Sequence, residues 1–195
     1  SRLAHLDYVP MPGGAAAVKA PWRMAVSYLY HTFGNAMWDL SLPMFDTIDR
    51  GKVEVILEMI KKDVNCPFTS SLGRFFDGIA AIVGVCYETT YEGQAAVELE
   101  MAIAEEGSAV YPYGRQEGKE PYRIPLAKIV EGVVADVQQG VSVGCISRRL
   151  HSTLIQLFAG LCDQLRSAIH IDDVVLSGGV FQNAGLLSGM TDALE

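Results

Sequence analysis

A chain of 195 residues, half of them hydrophobic and 19% charged, has enough apolar material for a full core and the wrong composition for a disordered or fibrous protein. Its formal net charge of -8 repels phosphate backbones and anionic bilayers, which argues against nucleic acid or a membrane surface as partner. Neither an apolar run of membrane-spanning length nor the basic, apolar and small-residue order of a secretory leader is present, and Cys66, Cys86, Cys145 and Cys162, with no CxxC pair, fit reduced core thiols in a cytoplasm.

Along the chain the punctuation is mostly helical. After the turn-like Pro10-Met11-Pro12-Gly13-Gly14, Pro21 opens a helix over 21–30 that Gly34-Asn35 stops. Val53, Ile56, Leu57 and Ile60 recur at helical spacing and predict a second helix, ended by Asn65-Cys66-Pro67. Ser70 or Ser71 caps a third over 72–83, with Leu72, Phe75, Phe76, Ile79 and Val83 on one face and Gly84 as its close. Residues 92–105 read as a fourth. Tyr111-Pro112-Tyr113 and Tyr122-Arg123-Ile124 flank a polar loop and predict a small hairpin. Two longer helices follow, one with Ile129, Val133 and Val137 on its buried face, the other with Leu150, Leu154, Leu157, Leu161 and Leu165.

The exception to helix is 173–177, short and β-branched, which runs into Gly178-Gly179 before a last helix opens near Asn183. A fully apolar strand is normally buried on both faces of a parallel sheet, and the chain offers almost no other strands to build one. The sheet is therefore expected to be completed by a part of the protein outside this chain or by another subunit. Glycines between a strand and a helix let backbone pass close to a ligand, and the amino end of that helix offers unpaired N–H groups to an anion such as phosphate. A plain tight turn explains the same two glycines. Lysine and Ser/Thr do not follow them, so this is not a P-loop. Leu176-Ser177-Gly178-Gly179 does not match G-x-S-x-G, so Ser177 is a poor nucleophile candidate.

SGGVFQN at 177–183, with TSSLGRFFD at 69–77 and YEGQAAVE at 91–98, resembles the carboxy-terminal domain of the HypF-type hydrogenase maturation carbamoyltransferases. HLDYVPMPGG at 5–14 and RLHSTL at 149–154 resemble the same family in the same order, so the match spans nearly the whole chain. The resemblance implies that 1–195 is the second part of a Kae1-like module, without its upstream lobe and the family's final segment. The implied parent fold is the α/β class of actin, sugar kinases and Hsp70-like ATPases, of which this piece is mainly α-helical with few strands. It also implies a cytoplasmic enzyme that uses carbamoyl phosphate and ATP, through carbamoyl adenylate, to carbamoylate the terminal cysteine of a HypE-type acceptor for the cyanide ligands of a nickel-iron hydrogenase. By motif, Gly178, Gly179 and Asn183 would hold the phosphate and sugar region, Asp77 would accept hydrogen bonds from ribose hydroxyls, and Gly93 would let backbone approach the nucleoside. No catalytic residue is assigned. The resemblance further implies a divalent metal in the full module, held by HxxxH and Asp-Gly-Gly segments that are not in this chain.

The residues taken alone leave plainer alternatives open. On the residues alone Asp77 reads as an ordinary solvated acid and Glu92 as a favourable charge at a helix start, while Asn183 can cap the last helix and still meet a ligand. Arg74 is the best anion contact of the arginines because it shares a motif with Asp77. His5, His31, His151 and His170 have no metal-ligand spacing. Where the family commonly has a basic residue after FQN, this chain has Ala184-Gly185, which weakens an anion contact there. Three other functions remain: carbamoylation of an antibiotic or sugar hydroxyl, a phosphotransferase of the sugar or acetate kinase type, and a non-catalytic nucleotide-binding or docking module. Without the upstream lobe to close a cleft, the chain alone is expected to lack transferase activity.

Overall fold

In the computed structural model, which describes residues 2–104, 107, 109–114 and 121–195, the chain opens with β1 (Ala4–Leu6) and β2 (Val9–Pro10), followed by the short α1 (Ala15–Lys19). The first long helix, α2 (Trp22–Phe33), starts after Pro21 and stops at Gly34, whose φ of +57° a side-chain-bearing residue rarely adopts. Gly34–Asp39 continues as a 3-10 turn, and α3 (Pro43–Thr47) leads to α4 (Arg50–Lys61), whose amino end is capped by the Asp49 carboxylate accepting from the Lys52 N–H at 3.1 Å. β3 (Phe68–Thr69) then precedes α5 (Leu72–Ile82), and of the two candidate serines Ser71 is the cap, accepting from the Arg74 N–H at 3.4 Å.

Residues 75–82 of α5 are buried all round, and so is most of α2 from Trp22 to Leu29. These two helices pack on each other as the centre of the core, with α3, α4 and the later helices around them. Such all-round apolarity marks helices with protein on every side. At Gly78 α5 lies against the Tyr28 ring, leaving no room for a side chain, and that ring also meets Phe75 edge to face with centroids 5.2 Å apart.

The remaining helices form the second half: α6 (Gln94–Met101), β4 (Tyr122–Ile124), α7 (Ala127–Gln138), the long α8 (Val143–Ile169) capped by Ser142, and α9 (Ala184–Leu194). Of the leucine stripe on α8, Leu150, Leu154 and Leu157 are buried, while Leu161 and Leu165 are only half-buried as the helix runs out past its neighbours. A polar network ties residues before α7 to this layer. The Tyr111 hydroxyl donates to Asp136 Oδ2 at 2.7 Å, and Arg149 Nη1 donates to both Asp136 oxygens at 2.7 Å.

Two sequence expectations fail in the β structure. Tyr122-Arg123-Ile124 does not pair with Tyr111-Pro112-Tyr113; β4 lies parallel to β1 with Ala4 opposite Tyr122 and Leu6 opposite Ile124. The reason is electrostatic as well as apolar, since Arg123 reaches the buried Asp7 carboxylate and the Asp7 N–H donates to the Ile124 carbonyl at 2.9 Å. Most of the loop between the two expected strands, 115–120, lies outside the described residues. Residues 173–177 form no strand either. Among the described residues they have no ladder partner, and Val175 is 85% exposed. A second small ladder, β2 antiparallel to β3 with Val9 opposite Thr69 and Pro10 opposite Phe68, was not expected from the sequence. No helix among the described residues is long and apolar enough to cross a membrane.

Candidate functional site

Ser71 fixes where α5 begins, and that start places Arg74 and Asp77 one turn apart on the same side of the helix. Facing them is the start of α6. Gly93 stands at its amino cap with φ +83°, a left-handed turn that glycine takes without strain, so the helix expected over 92–105 starts only at Gln94, and it runs to Met101. Glu105, the expected end, lies outside the described residues. From this junction Gly93, Ala96, Val97 and Glu100 form one helical stripe. The third side is the Gly178 turn, a 3-10 turn over Gly179–Gln182, and Asn183. Together these enclose a half-open cleft of about 670 Å³.

All five residues carried over by motif, Asp77, Gly93, Gly178, Gly179 and Asn183, line this one cleft. The turn at Gly178 has φ +95°, and a side chain added at Gly93, Gly178 or Gly179 would meet no atom within 4 Å. The glycines are thus not packing devices here; they leave backbone facing open space.

Asp77 is no solvated acid. It is only 2% exposed, and burial pushes its carboxyl up to about 6, against the opposing pull of Arg74. Arg74 Nη1 lies 3.0 Å from Asp77 Oδ2, close enough for an ion pair, yet neither atom has an aligned hydrogen bond among the described residues. A buried carboxylate oxygen and a buried guanidinium nitrogen, both short of partners and both at the cleft, fit a ligand that brings hydroxyl donors and polar acceptors. Nearby Cys86 is held as a neutral thiol, its pKa pushed up to about 11 by burial with help from the Glu98 and Asp77 charges, so it offers no thiolate nucleophile.

Asn183 does cap the last helix, its Oδ1 accepting from the Leu186 N–H at 2.7 Å. Its amide nitrogen donates to His151 Nε2 at 2.9 Å, and His151 Nδ1 in turn donates to the Ser147 carbonyl at 2.8 Å. This fixes the neutral Nδ1–H tautomer and leaves the Asn183 side chain one N–H for a ligand. The Ser147 hydroxyl donates to the Leu99 carbonyl, so one chain of bonds joins α6, α8 and α9 beneath the cleft.

Burial holds the His151 imidazole below its ordinary value of 6.5. The unfolded chain therefore takes up a proton that the folded chain resists, and stability that is full above pH 6.5 falls as pH drops below it. Asp77 titrates with the opposite sign in the same window, so the effect is read as a difference: in thermal unfolding between pH 7 and pH 5 the stability of His151→Gln relative to wild type should rise as pH falls. Parallel slopes would remove His151 as its source.

One expectation about the site needs correction. The amino end of α9 is not open to an anion, because its first N–H groups are already filled. Glu100 Oε1 accepts from the Ala184 N–H at 2.7 Å and from the Gly185 N–H at 3.2 Å, and Asn183 takes the next. Glu100 and His151 are the residues that sequence reasoning missed. The signal for Glu100 was its place on the Gly93 stripe, two residues past YEGQAAVE; His151 lies within RLHSTL and is weighed in the sequence only as a metal ligand, and the signal for its role was the buried stripe it shares with Ser147 and Leu154. Among the described residues no cluster of three or more His, Cys, Asp or Glu side chains is arranged to hold a metal.

Comparison with known proteins gives the site its context. A family model described as "Carbamoyltransferase, Kae1-like Domain, second subdomain" matches residues 1–195. The chain is 30% identical to the carbamoyltransferase HypF of Synechocystis sp., covering all of this chain and 26% of that protein. It is 29% identical to a carbamoyltransferase HypF homolog of Cupriavidus necator, over 98% of this chain and 49% of the relative. Against a crystal structure of full-length HypF in the phosphate- and nucleotide-bound form, the whole chain superposes with a TM-score of 0.91 at 34% identity and covers 30% of that protein. The HypF of T. kodakarensis has the same fold, with a TM-score of 0.83 at 24% identity. The chain thus spans between about a quarter and a half of the length of these relatives.

Proposed function

The chain belongs to the family of the carbamoyltransferase Kae1-like domain, second subdomain, and from that premise we propose that it is the nucleotide-holding part of a HypF-type carbamoyltransferase. In this reading carbamoyl phosphate is hydrolysed to carbamate and phosphate, and the carbamate oxygen then attacks the α-phosphorus of ATP, forming carbamoyl adenylate as pyrophosphate leaves. The terminal cysteine thiolate of a HypE-type acceptor protein then attacks the carbamoyl carbon, a C–S bond forms, and AMP leaves with the electron pair of the broken C–O bond.

The observation that carries the proposal is Asp77, a buried carboxylate whose Oδ2 lacks an aligned donor at the edge of an otherwise open cleft. Ribose hydroxyls would supply the missing donors, and each such bond to a charged acceptor contributes about 1.5–3 kcal/mol. Gly93 would let the nucleoside lie against bare backbone, and Gly178 and Gly179 would do the same for the sugar and phosphate end. With its carbonyl and one N–H committed, Asn183 would hold the turn in place and offer its remaining N–H. Two observations support the nucleotide class: a similar solved protein is phosphate- and nucleotide-bound, and its match covers the whole of this chain.

Titration calorimetry with ATP tests the reading directly. The chain should bind ATP saturably, and Gly179→Leu, which places a branched side chain in the open berth, should weaken binding at least about tenfold without loss of thermal stability. If wild type shows no heat of binding, or Gly179→Leu binds as well as wild type, the proposed site is wrong.

A further inference from the structure

Glu100 occupies the amino end of α9 as an anion would, and we infer that it is a built-in stand-in for a ligand phosphate, setting how much the phosphate end of a nucleotide contributes to affinity. The inference rests on the nucleotide reading of the cleft and specifies one residue's part in it. A helix start presents N–H groups and a positive dipole end, and free N–H groups of this kind attract phosphate. Here Ala184 and Gly185 give theirs to Glu100 Oε1, and Leu186 gives its own to Asn183. A methyl group on Gly185 would lie 3.0 Å from Ile103 Cδ1, so a larger residue there would press on the segment that follows α6.

An independent sign of a ligand lies across the same cleft, where Asp77 Oδ2 and Arg74 Nη1 are buried without aligned partners. The polar atoms prepared for a ligand are therefore on α5, while those on α9 are closed by the protein itself. Charge works the same way. The cleft is lined by the carboxylates of Asp77, Glu92 and Glu100 against the single guanidinium of Arg74 among its described residues. A polyphosphate entering near α9 meets the Glu100 charge and reaches the helix donors only by exchanging places with it. Glu100 is half-exposed, so its carboxylate has solvent to move into. A nucleoside without phosphate has no reason to displace it.

The test compares adenosine, ADP and ATP by calorimetry on wild type, Glu100→Gln and Glu100→Ala. The glutamine keeps an oxygen for the two N–H groups and removes the charge, whereas alanine frees both donors. The affinity ratio of ATP to adenosine should rise about threefold to tenfold in Glu100→Gln and at least as much in Glu100→Ala, with adenosine affinity unchanged in both. A residue that merely joins α6 to α9 would weaken all ligands together or none. If the ratio is the same in wild type and both variants, or if adenosine gains as much as ATP, the stand-in role is overturned while the nucleotide site stands. Absence of any binding by wild type would instead overturn the proposed function, and this inference with it.

Discussion

Asp77→Asn should cost the chain its nucleotide affinity and remove a pH-dependent penalty on its stability. The carboxyl is shifted from 3.8 to about 6 in the folded chain because burial disfavours its charge more than Arg74 favours it. A raised carboxyl binds its proton more tightly in the folded than in the unfolded state. The resulting stabilisation is full below pH 3.8 and is lost as pH rises through about 6. Between pH 4 and pH 7 the stability of Asp77→Asn relative to wild type should therefore improve by on the order of 2–3 kcal/mol, whatever the absolute cost of disturbing Arg74. Binding should move the other way. Replacing a charged acceptor of ribose hydroxyls with a neutral amide weakens ATP about tenfold to a hundredfold, and adenosine by the same factor, because the contact is to the sugar. A 2',3'-dideoxy nucleotide should lose affinity on wild type and lose little more on the variant. Denaturant titration across pH, together with calorimetry, reads both. Unchanged ATP affinity in the variant would take Asp77 out of the site, and parallel pH curves would show that burial does not perturb it.

That combination, a charge held at a cost where a ligand can use it, is also what the sequence could least reveal. Periodicity found the helices because burial repeats at helical spacing: Val53, Ile56 and Leu57 on α4, and Phe75, Phe76 and Ile79 on α5, all face the core. Local chemistry found the breaks, with Gly34 and Gly84 at positive φ and Ser71 and Asn183 as caps. Non-local pairing escaped it. β4 joins β1 across more than half the chain because Asp7 needs Arg123, and no spacing within either segment encodes that contact. The apolar run before Gly178 carries the composition of a buried strand, yet strand formation requires a partner edge, and none is supplied among the described residues. At the cleft the motifs brought in Asp77, Gly93, Gly178, Gly179 and Asn183, which the fold does gather. Their partners Glu100 and His151 look like an ordinary helix-surface acid and an isolated histidine until α6, α8 and α9 are in place.

The scaffold beneath the site should be as sensitive as the site itself. Gly78→Ala would ordinarily favour a helix by about 1 kcal/mol. At this position it should instead destabilise the chain by about 2–3 kcal/mol, since overpacking a filled core costs roughly that much. A methyl group on Gly78 would lie 2.6 Å and 3.0 Å from two carbons of the Tyr28 ring and 3.4 Å from the carbonyl carbon of Met24. The ring has nowhere to retreat, being 2% exposed and held edge to face by Phe75, so α5 itself must shift away from α2. Arg74 and Asp77 ride on that helix, and a displacement that relieves the clash also misplaces the buried carboxylate. ATP affinity should fall together with the denaturation midpoint. Shortening the obstacle in Gly78→Ala/Tyr28→Leu should recover part of both losses relative to the sum of the single variants, a coupling that two unrelated defects would not show. Should Gly78→Ala unfold at the wild-type denaturant concentration or above it, the close contact of α2 with α5 is not what positions Asp77.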